Sequence, residues 1–357
     1  MKLLIIPMLI FSTLSGQTLK EHFQNNFEMG TIYNASKDLK STAGKQIAVK
    51  HFSVLTTENL FKWISLSKKE GEYRFDNADK SVRFCEENNL KLIGHTLIWK
   101  KHNPDWLFNG SGGQKLTREV LLKRMEHHIK RVVSRYKGRI YGWDVVNEAF
   151  ENNGAHRDIP WSKIIGPDYI DYAFKYASEA DPGAELYYND FGLFNEKKLS
   201  AVIDLIKRLK SKKIRIDAVG MQCHLHLTWP DLKKIENAII ELNRAGVKVV
   251  ISELDLSVLP NGFGHKGKHI RDLKGPLNPY AQNLADSKEQ EQSQKYLELF
   301  KMFMKHSDKI QRVTFWGISD KHSWLNEFPI LGRTDYPLLF DRNYKPKNVF
   351  LELMKLR

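Results

Sequence analysis

Two glutamates carry the clearest chemical signal in this chain. Glu148 closes the run Trp143-Asp144-Val145-Val146-Asn147-Glu148, and Glu253 stands within Val250-Ile251-Ser252-Glu253-Leu254-Asp255. Each follows an apolar, β-branched run, where a charge is costly unless it is paired or functional. One such carboxylate alone fits a structural ion pair equally well. Two of them, one beside an amide and the other beside a second acid, point to catalysis. Paired carboxylates are what glycosidic hydrolysis requires: one protonates the leaving oxygen, and the other attacks the anomeric carbon or activates a water.

Strand geometry suggests helpers. With side chains alternating along a strand, Glu253 and Asp255 share one face, and Gln222 and His224 share a face of the preceding strand. An Asp255–His224–Glu253 chain across neighbouring strands would keep Glu253 ionised, although a packed core histidine is the rival reading of His224. A second group reads as sugar-binding: Glu58, Asn59 and Lys62 follow one strand, His95 and Trp99 lie on the next, and Trp316 and Trp324 bracket the end of the last. Aromatic faces stack on pyranose rings while amides, carboxylates and ammonium groups bond hydroxyls. Trp143 and Trp161 fit plain core packing. No His, Cys and acidic cluster has metal-ligand spacing, so neither a metal nor a cofactor is expected.

These residues need a scaffold, and the chain has one repeated pattern: a short apolar, β-branched run, then an amphipathic helix. Strands are predicted at 27–34, 51–57, 91–99, 140–148, 185–191, 217–225, 247–256 and 311–319. Between them, Leu199, Val202, Ile203, Ile206 and Leu209, and again Leu232, Ile235, Ile239 and Leu242, recur at helical spacing and lay one apolar stripe against a sheet. Gly246 fits a C-terminal cap for the second helix. Eight such units predict an α/β fold, a single closed (β/α)8 TIM barrel with its active site at the C-terminal ends of the strands. The irregular stretch 257–285, rich in glycine and proline, follows the seventh strand and belongs to that same face.

At 357 residues, 41 % hydrophobic and 27 % charged, the chain has ample material for a large core, which excludes disordered and collagen-like classes. Residues 1–16 order a lysine, an apolar core and small residues as a secretory signal does, too short to span a bilayer. The mature catalytic barrel is therefore expected over 17–357, exported to a periplasm or secreted, with no membrane association after cleavage. No linker or composition break marks a second domain. Two cysteines, Cys85 and Cys223, cannot make a disulfide framework and read as small buried hydrophobes. The net charge of +14 suits an acidic polymer, yet no basic run is interleaved with aromatics as in nucleic-acid binders; basicity spread over solvated helix faces is the simpler account. No nucleic-acid partner is expected, and a monomer is.

The motifs resemble those of glycoside hydrolase family 10, the retaining endo-β-1,4-xylanases. The matching segments are HFSVLTTENLFKW (51–63), GHTLIW (94–99), WDVVNEA (143–149), YYNDF (187–191), GMQCH (220–224), ISELD (251–255), TFWGISDKHSW (314–324) and PLLFD (337–341), in family order. The resemblance implies a secreted hydrolase acting in xylan and polysaccharide degradation, with Glu148 as general acid/base and Glu253 as nucleophile. It further implies that Asn147 bonds the 2-hydroxyl of the sugar being cleaved, while His224 and Asp255 tune the nucleophile. His95, Trp99, Glu58, Asn59 and Lys62 would line the subsites on the non-reducing side, roofed by Trp316 and Trp324, and Gln222 and Tyr188 would complete the shell around the reacting ring. Four positions depart from the family pattern: Lys100 stands for a histidine, Lys101-His102 for a Ser-Gln pair, and Ser252 for a threonine. The runner-up keeps the chemistry but takes a β-glucan; a non-catalytic carbohydrate-binding barrel would have no need of the second glutamate.

Overall fold

The predicted runs become strands because their β-branched and aromatic side chains are buried on both faces, the condition of a parallel sheet clothed in helices. The computed structural model describes residues 17–34, 37–110, 114 and 116–357. The strands are β1 (Glu28–Tyr33), β2 (Val54–Thr57), β3 (Lys91–Ile98), β4 (Gly142–Asn147), β5 (Glu185–Asp190), β6 (Ala218–Met221), β7 (His224–His226), β8 (Lys248–Ser257) and β9 (Ile310–Phe315). Neighbours pair in parallel from β1 to β6, β6 pairs with β8, β8 with β9, and β9 returns to β1. That ring is the expected (β/α)8 barrel. β7 is a three-residue spur that extends the pairing of β8 beyond the ring.

Helices close the outside. In the helix Leu232–Arg244 the stripe Ile235, Ala238, Ile239 and Leu242 is fully buried, Asp231 caps the N-terminus by accepting from the Lys233 amide, and Gly246 takes φ +86° just beyond the end. A left-handed residue there suits glycine, as the sequence indicated. Within the ring, Val54, Ile93, Tyr187, Ala218 and Val250 form a small core of their own. This interior is packed, so reactive groups can gather only at its ends.

The observed strands differ from the predicted ones in three places. The helix Thr42–His51 runs into the predicted strand 51–57, which begins only at Val54. The predicted strand 311–319 leaves the sheet after Phe315. The predicted strand 217–225 is broken: β6 ends at Met221, Cys223 turns the chain with φ +56°, and β7 restarts at His224. An unbroken apolar run cannot reveal such a turn, because hydrophobicity reports burial and not backbone direction. Cys85 and Cys223 are free and buried. The expected signal, 1–16, lies outside the described residues, and among those described no helix is long and apolar enough to cross a membrane.

Candidate active site

Glu253 sits in β8 and is 5 % exposed. Its Oε2 lies 3.1 Å from His224 Nε2, and His224 Nδ1 lies 2.9 Å from Asp255 Oδ2. The register that pairs His224 with Asp255 makes this contact possible. Burial alone would drive the imidazole toward neutrality, but Asp255 and then Glu253 outweigh it and push its pKa up to about 10. His224 is therefore an imidazolium that donates to both carboxylates. The expected Asp255–His224–Glu253 chain forms, with Glu253 and Asp255 on one face of β8, but Gln222 and His224 do not share a strand face: the turn at Cys223 sends His224 to Glu253, while Gln222 turns to the opposite glutamate.

The other oxygen of Glu253 is held by a residue that sequence reasoning missed. Asn189, at the end of β5, donates from Nδ2 to Glu253 Oε1 at 2.7 Å and accepts from Ser252 Oγ at 2.6 Å. Gly220 makes room for it, since a Cβ there would stand 2.2 Å from Asn189 Oδ1. The signal was available: Asn189 is a polar residue closing an apolar strand, as Glu148 is.

Glu148 follows β4 directly and takes φ +57°. A non-glycine residue in that region costs on the order of 1–3 kcal/mol and is typical of functional positions. The conformation is held by its amide donating to Asn189 O at 2.8 Å and its carbonyl accepting from Arg157 Nε at 3.0 Å. Gln222 Nε2 lies 3.4 Å from Glu148 Oε1, and Lys100 Nζ lies 2.8 Å from Oε2. Asn147 lies between the two glutamates. In one orientation its amide accepts from Asn189 Nδ2 at 3.0 Å and Gln222 Nε2 at 3.3 Å. Rotated, it donates to Asn189 O at 3.0 Å and accepts from Trp99 Nε1 at 3.2 Å, in exchange for those two bonds.

The remaining predicted residues line one wall. Lys62, 7 % exposed, donates to Asn59 Oδ1 at 2.8 Å and lies 4.8 Å from the Trp99 ring centre; Glu58 accepts from Asn34. His95 Nδ1 is 2.8 Å from Asp144 Oδ2, a second partner the sequence reading did not single out, and its ring meets Trp316 edge-on at 5.5 Å. His102 stacks on Trp99 at 5.3 Å. Trp324 is half-buried and more than a roof: its Nε1 donates to Asp255 Oδ2 at 2.7 Å, tying that wall to the His224 chain.

One expectation needs correction. Tyr188 does not join the shell around a reacting ring; it is fully buried, its hydroxyl accepting from the Ala149 amide at 3.0 Å and donating to Asp190 Oδ2 at 2.5 Å. It braces the chain behind Glu148, because its position on β5 points away from the cleft. The adjacent lysines part company: Lys100 turns inward to Glu148, whereas Lys101 stays exposed, 5.8 Å from the Trp99 ring centre. Among the described residues no group of three His, Cys, Asp or Glu is placed to hold a metal ion.

An eight-stranded parallel barrel with two buried glutamates among amides and tryptophans at its C-terminal face defines a glycoside hydrolase. The chain belongs to glycosyl hydrolase family 10, whose sequence profile matches residues 18–356. It is 43 % identical over 343 residues to endo-1,4-beta-xylanase A of Xylanibacter ruminicola, covering 95 % of this chain and 93 % of that protein. It is 39 % identical to an endo-1,4-beta-xylanase of Geobacillus stearothermophilus, covering 95 % and 98 %. Among solved structures, a GH10 endoxylanase retrieved from a sugarcane soil metagenome superposes with TM-score 0.90 at 38 % identity, over 95 % of this chain and 100 % of that one.

Proposed function

We propose that the chain is a retaining endo-1,4-β-xylanase in which Glu253 is the nucleophile and Glu148 the general acid/base. The observation that carries the assignment is the asymmetry of the two carboxylates. Glu253 is held on both oxygens by donors, Asn189 and the His224 imidazolium, that favour a fixed anion. Glu148 keeps an amide at 3.4 Å and a partly exposed lysine, partners it can release. In the first step a Glu253 oxygen forms a bond to the anomeric carbon as the glycosidic C–O bond breaks, and the leaving oxygen takes the Glu148 proton. In the second, Glu148 takes a proton from water, the water oxygen bonds to the anomeric carbon, and Glu253 departs as carboxylate. Names of close relatives support xylan as the polymer, and the buried Lys62 and the Trp99 and Trp316 rings supply the sugar-binding wall. A polymeric substrate also suits a monomeric, exported enzyme, with the N-terminal apolar segment as its signal.

The test compares Glu148→Ala with Glu253→Ala on xylan and on an activated aryl β-xylobioside. Glu148→Ala should retain intermediate formation on the aryl substrate and regain turnover with azide, giving a β-xylobiosyl azide product. Glu253→Ala should lose activity on both by several orders of magnitude, with no β-azide product. Equal losses with no rescue of Glu148→Ala overturn the assignment, and reducing-sugar release from β-glucan but not xylan overturns the substrate.

A further inference from the structure

Lys100 takes no part in the two steps above, yet its Nζ lies 2.8 Å from Glu148 Oε2, with the two side chains only 20 % and 11 % exposed. Three cations surround the neighbouring Phe191 ring: Lys198 at 3.9 Å, Arg157 at 5.5 Å and Lys100 at 5.6 Å from its centre. Each has a different anion. Lys198 is tied to Asp190 at 2.6 Å with both side chains fully buried. Arg157 is tied to Glu151 at 2.7 Å and to the Glu148 carbonyl. Of the three, Lys100 is the one aimed at the Glu148 carboxylate, and the Phe191 ring limits where its stem can swing.

We propose that Lys100 is a positioning residue that clamps Glu148 in the empty cleft and must yield Oε2 to the incoming leaving oxygen, so that it sets the upper pH limit for cleaving bonds with poor leaving groups. The proposal rests on reading Glu148 as the acid/base. An ion pair this close to a buried carboxylate favours the anion, and the leaving oxygen of a xylan chain needs the acid. Burial pushes the Glu148 carboxyl up, but Lys100, aided by donors on Trp99 and Gln222, overcomes it and holds the group below its ordinary value. Other charged groups face Glu148: Lys62 on the β2 side, Lys101 beside Trp99, Arg157 after β4, and the Asp190–Lys198 pair from β5. Glu253 faces it across Asn147 and Gln222. Lys62, Lys101 and Lys198 each have another partner or lie farther off, which leaves Lys100 as the cation in direct contact. The same clamp helps the second step, where Glu148 must be a carboxylate to take a proton from water.

The test is the pH dependence of kcat/KM on a xylo-oligosaccharide and on 2,4-dinitrophenyl β-xylobioside, for the parent chain, Lys100→Met, Lys100→Gln and Lys100→Arg. On the oligosaccharide, Lys100→Met and Lys100→Gln should move the alkaline limb upward by about 1–3 pH units, the effect of removing an adjacent opposite charge. Lys100→Arg should restore it to near the parent position. The aryl substrate, which needs no acid, should show no such movement. A variant that merely packs badly loses activity at every pH without displacing the limb, so the limb remains the readout. An unmoved limb in both neutral variants, or an equal shift on the two substrates, overturns the proposal. If Glu148→Ala is rescued by azide while the limb stays put, the role of Lys100 alone fails; if that rescue is absent, the reading of Glu148 fails with it.

Discussion

Asp255→Asn should strip His224 of its charge in the alkaline part of the working pH range. Both ring nitrogens face carboxylates, at 2.9 Å and 3.1 Å, so the ring must carry both protons to satisfy them. Burial opposes that state; Asp255 and Glu253 impose it, moving the pKa from 6.5 to about 10. At about 1.36 kcal/mol per unit the rise corresponds to roughly 5 kcal/mol of preference for the imidazolium. The folded value exceeds the unfolded one, so this contribution to stability is fully present below about pH 6.5 and is lost as the pH rises through about 10. An adjacent opposite charge is worth about 1–3 units, which places His224 of the variant at about 7–9. Asparagine keeps an oxygen for Trp324 Nε1, so the local packing survives. The assay is a pH titration of histidine ring nitrogens by NMR with selective 15N labelling, alongside urea unfolding at pH 6 and pH 9. The parent ring should stay doubly protonated well above pH 8, and the variant ring should not. Once neutral, the ring can donate to only one partner, and kcat/KM of the variant should fall first at high pH. A parent His224 that titrates near 6.5, or a variant whose titration matches the parent, would refute the reasoning.

Two further outcomes follow from the same geometry. The Glu148 and Glu253 carboxyl groups should be about 5–5.5 Å apart, and proton NMR of xylo-oligosaccharide hydrolysis should therefore show the β-anomer first; an α-first product would require the wider gap of roughly 6.5–9.5 Å that admits a water. Lys198→Met should cost about 3–5 kcal/mol in denaturant unfolding, because it leaves the fully buried Asp190 carboxylate without its cation. Burial pushes Asp190 up to about 6 even with Lys198 holding it down, and without that lysine the carboxyl is pushed higher still, so the loss should shrink as the pH falls toward about 6 and the carboxyl of the variant takes a proton, and Lys198→Met with Asp190→Asn should recover most of it; an unchanged unfolding midpoint in the single variant would refute this role for the pair.

What the sequence determined by itself was whatever depends on local periodicity and on the cost of burying charge. Apolar runs of strand length alternated with stripes such as Ile235, Ile239 and Leu242, which is enough for a barrel, because each stripe must cover a sheet and the sheet must have no bare edge. Glu148 and Glu253 stood out because a carboxylate at the end of an apolar strand needs a reason to be there. Tertiary structure alone decided which polar groups meet. Asn189 reaches Glu253 only because Gly220, on the next strand, has no Cβ to block it. His224 finds Asp255 because the chain turns at Cys223 and restarts in register with β8. Tyr188 faced the wrong way in the sequence reading, and of the adjacent Lys100 and Lys101 the first turns in to contact Glu148 while the second stays exposed beside Trp99. These partners lie up to 75 residues apart, as Gln222 and Asn147 do, and their meeting depends on ring closure, strand offset and irregular registers between neighbours. Those are properties of the closed barrel, to which the hydrophobic pattern of a single strand is blind.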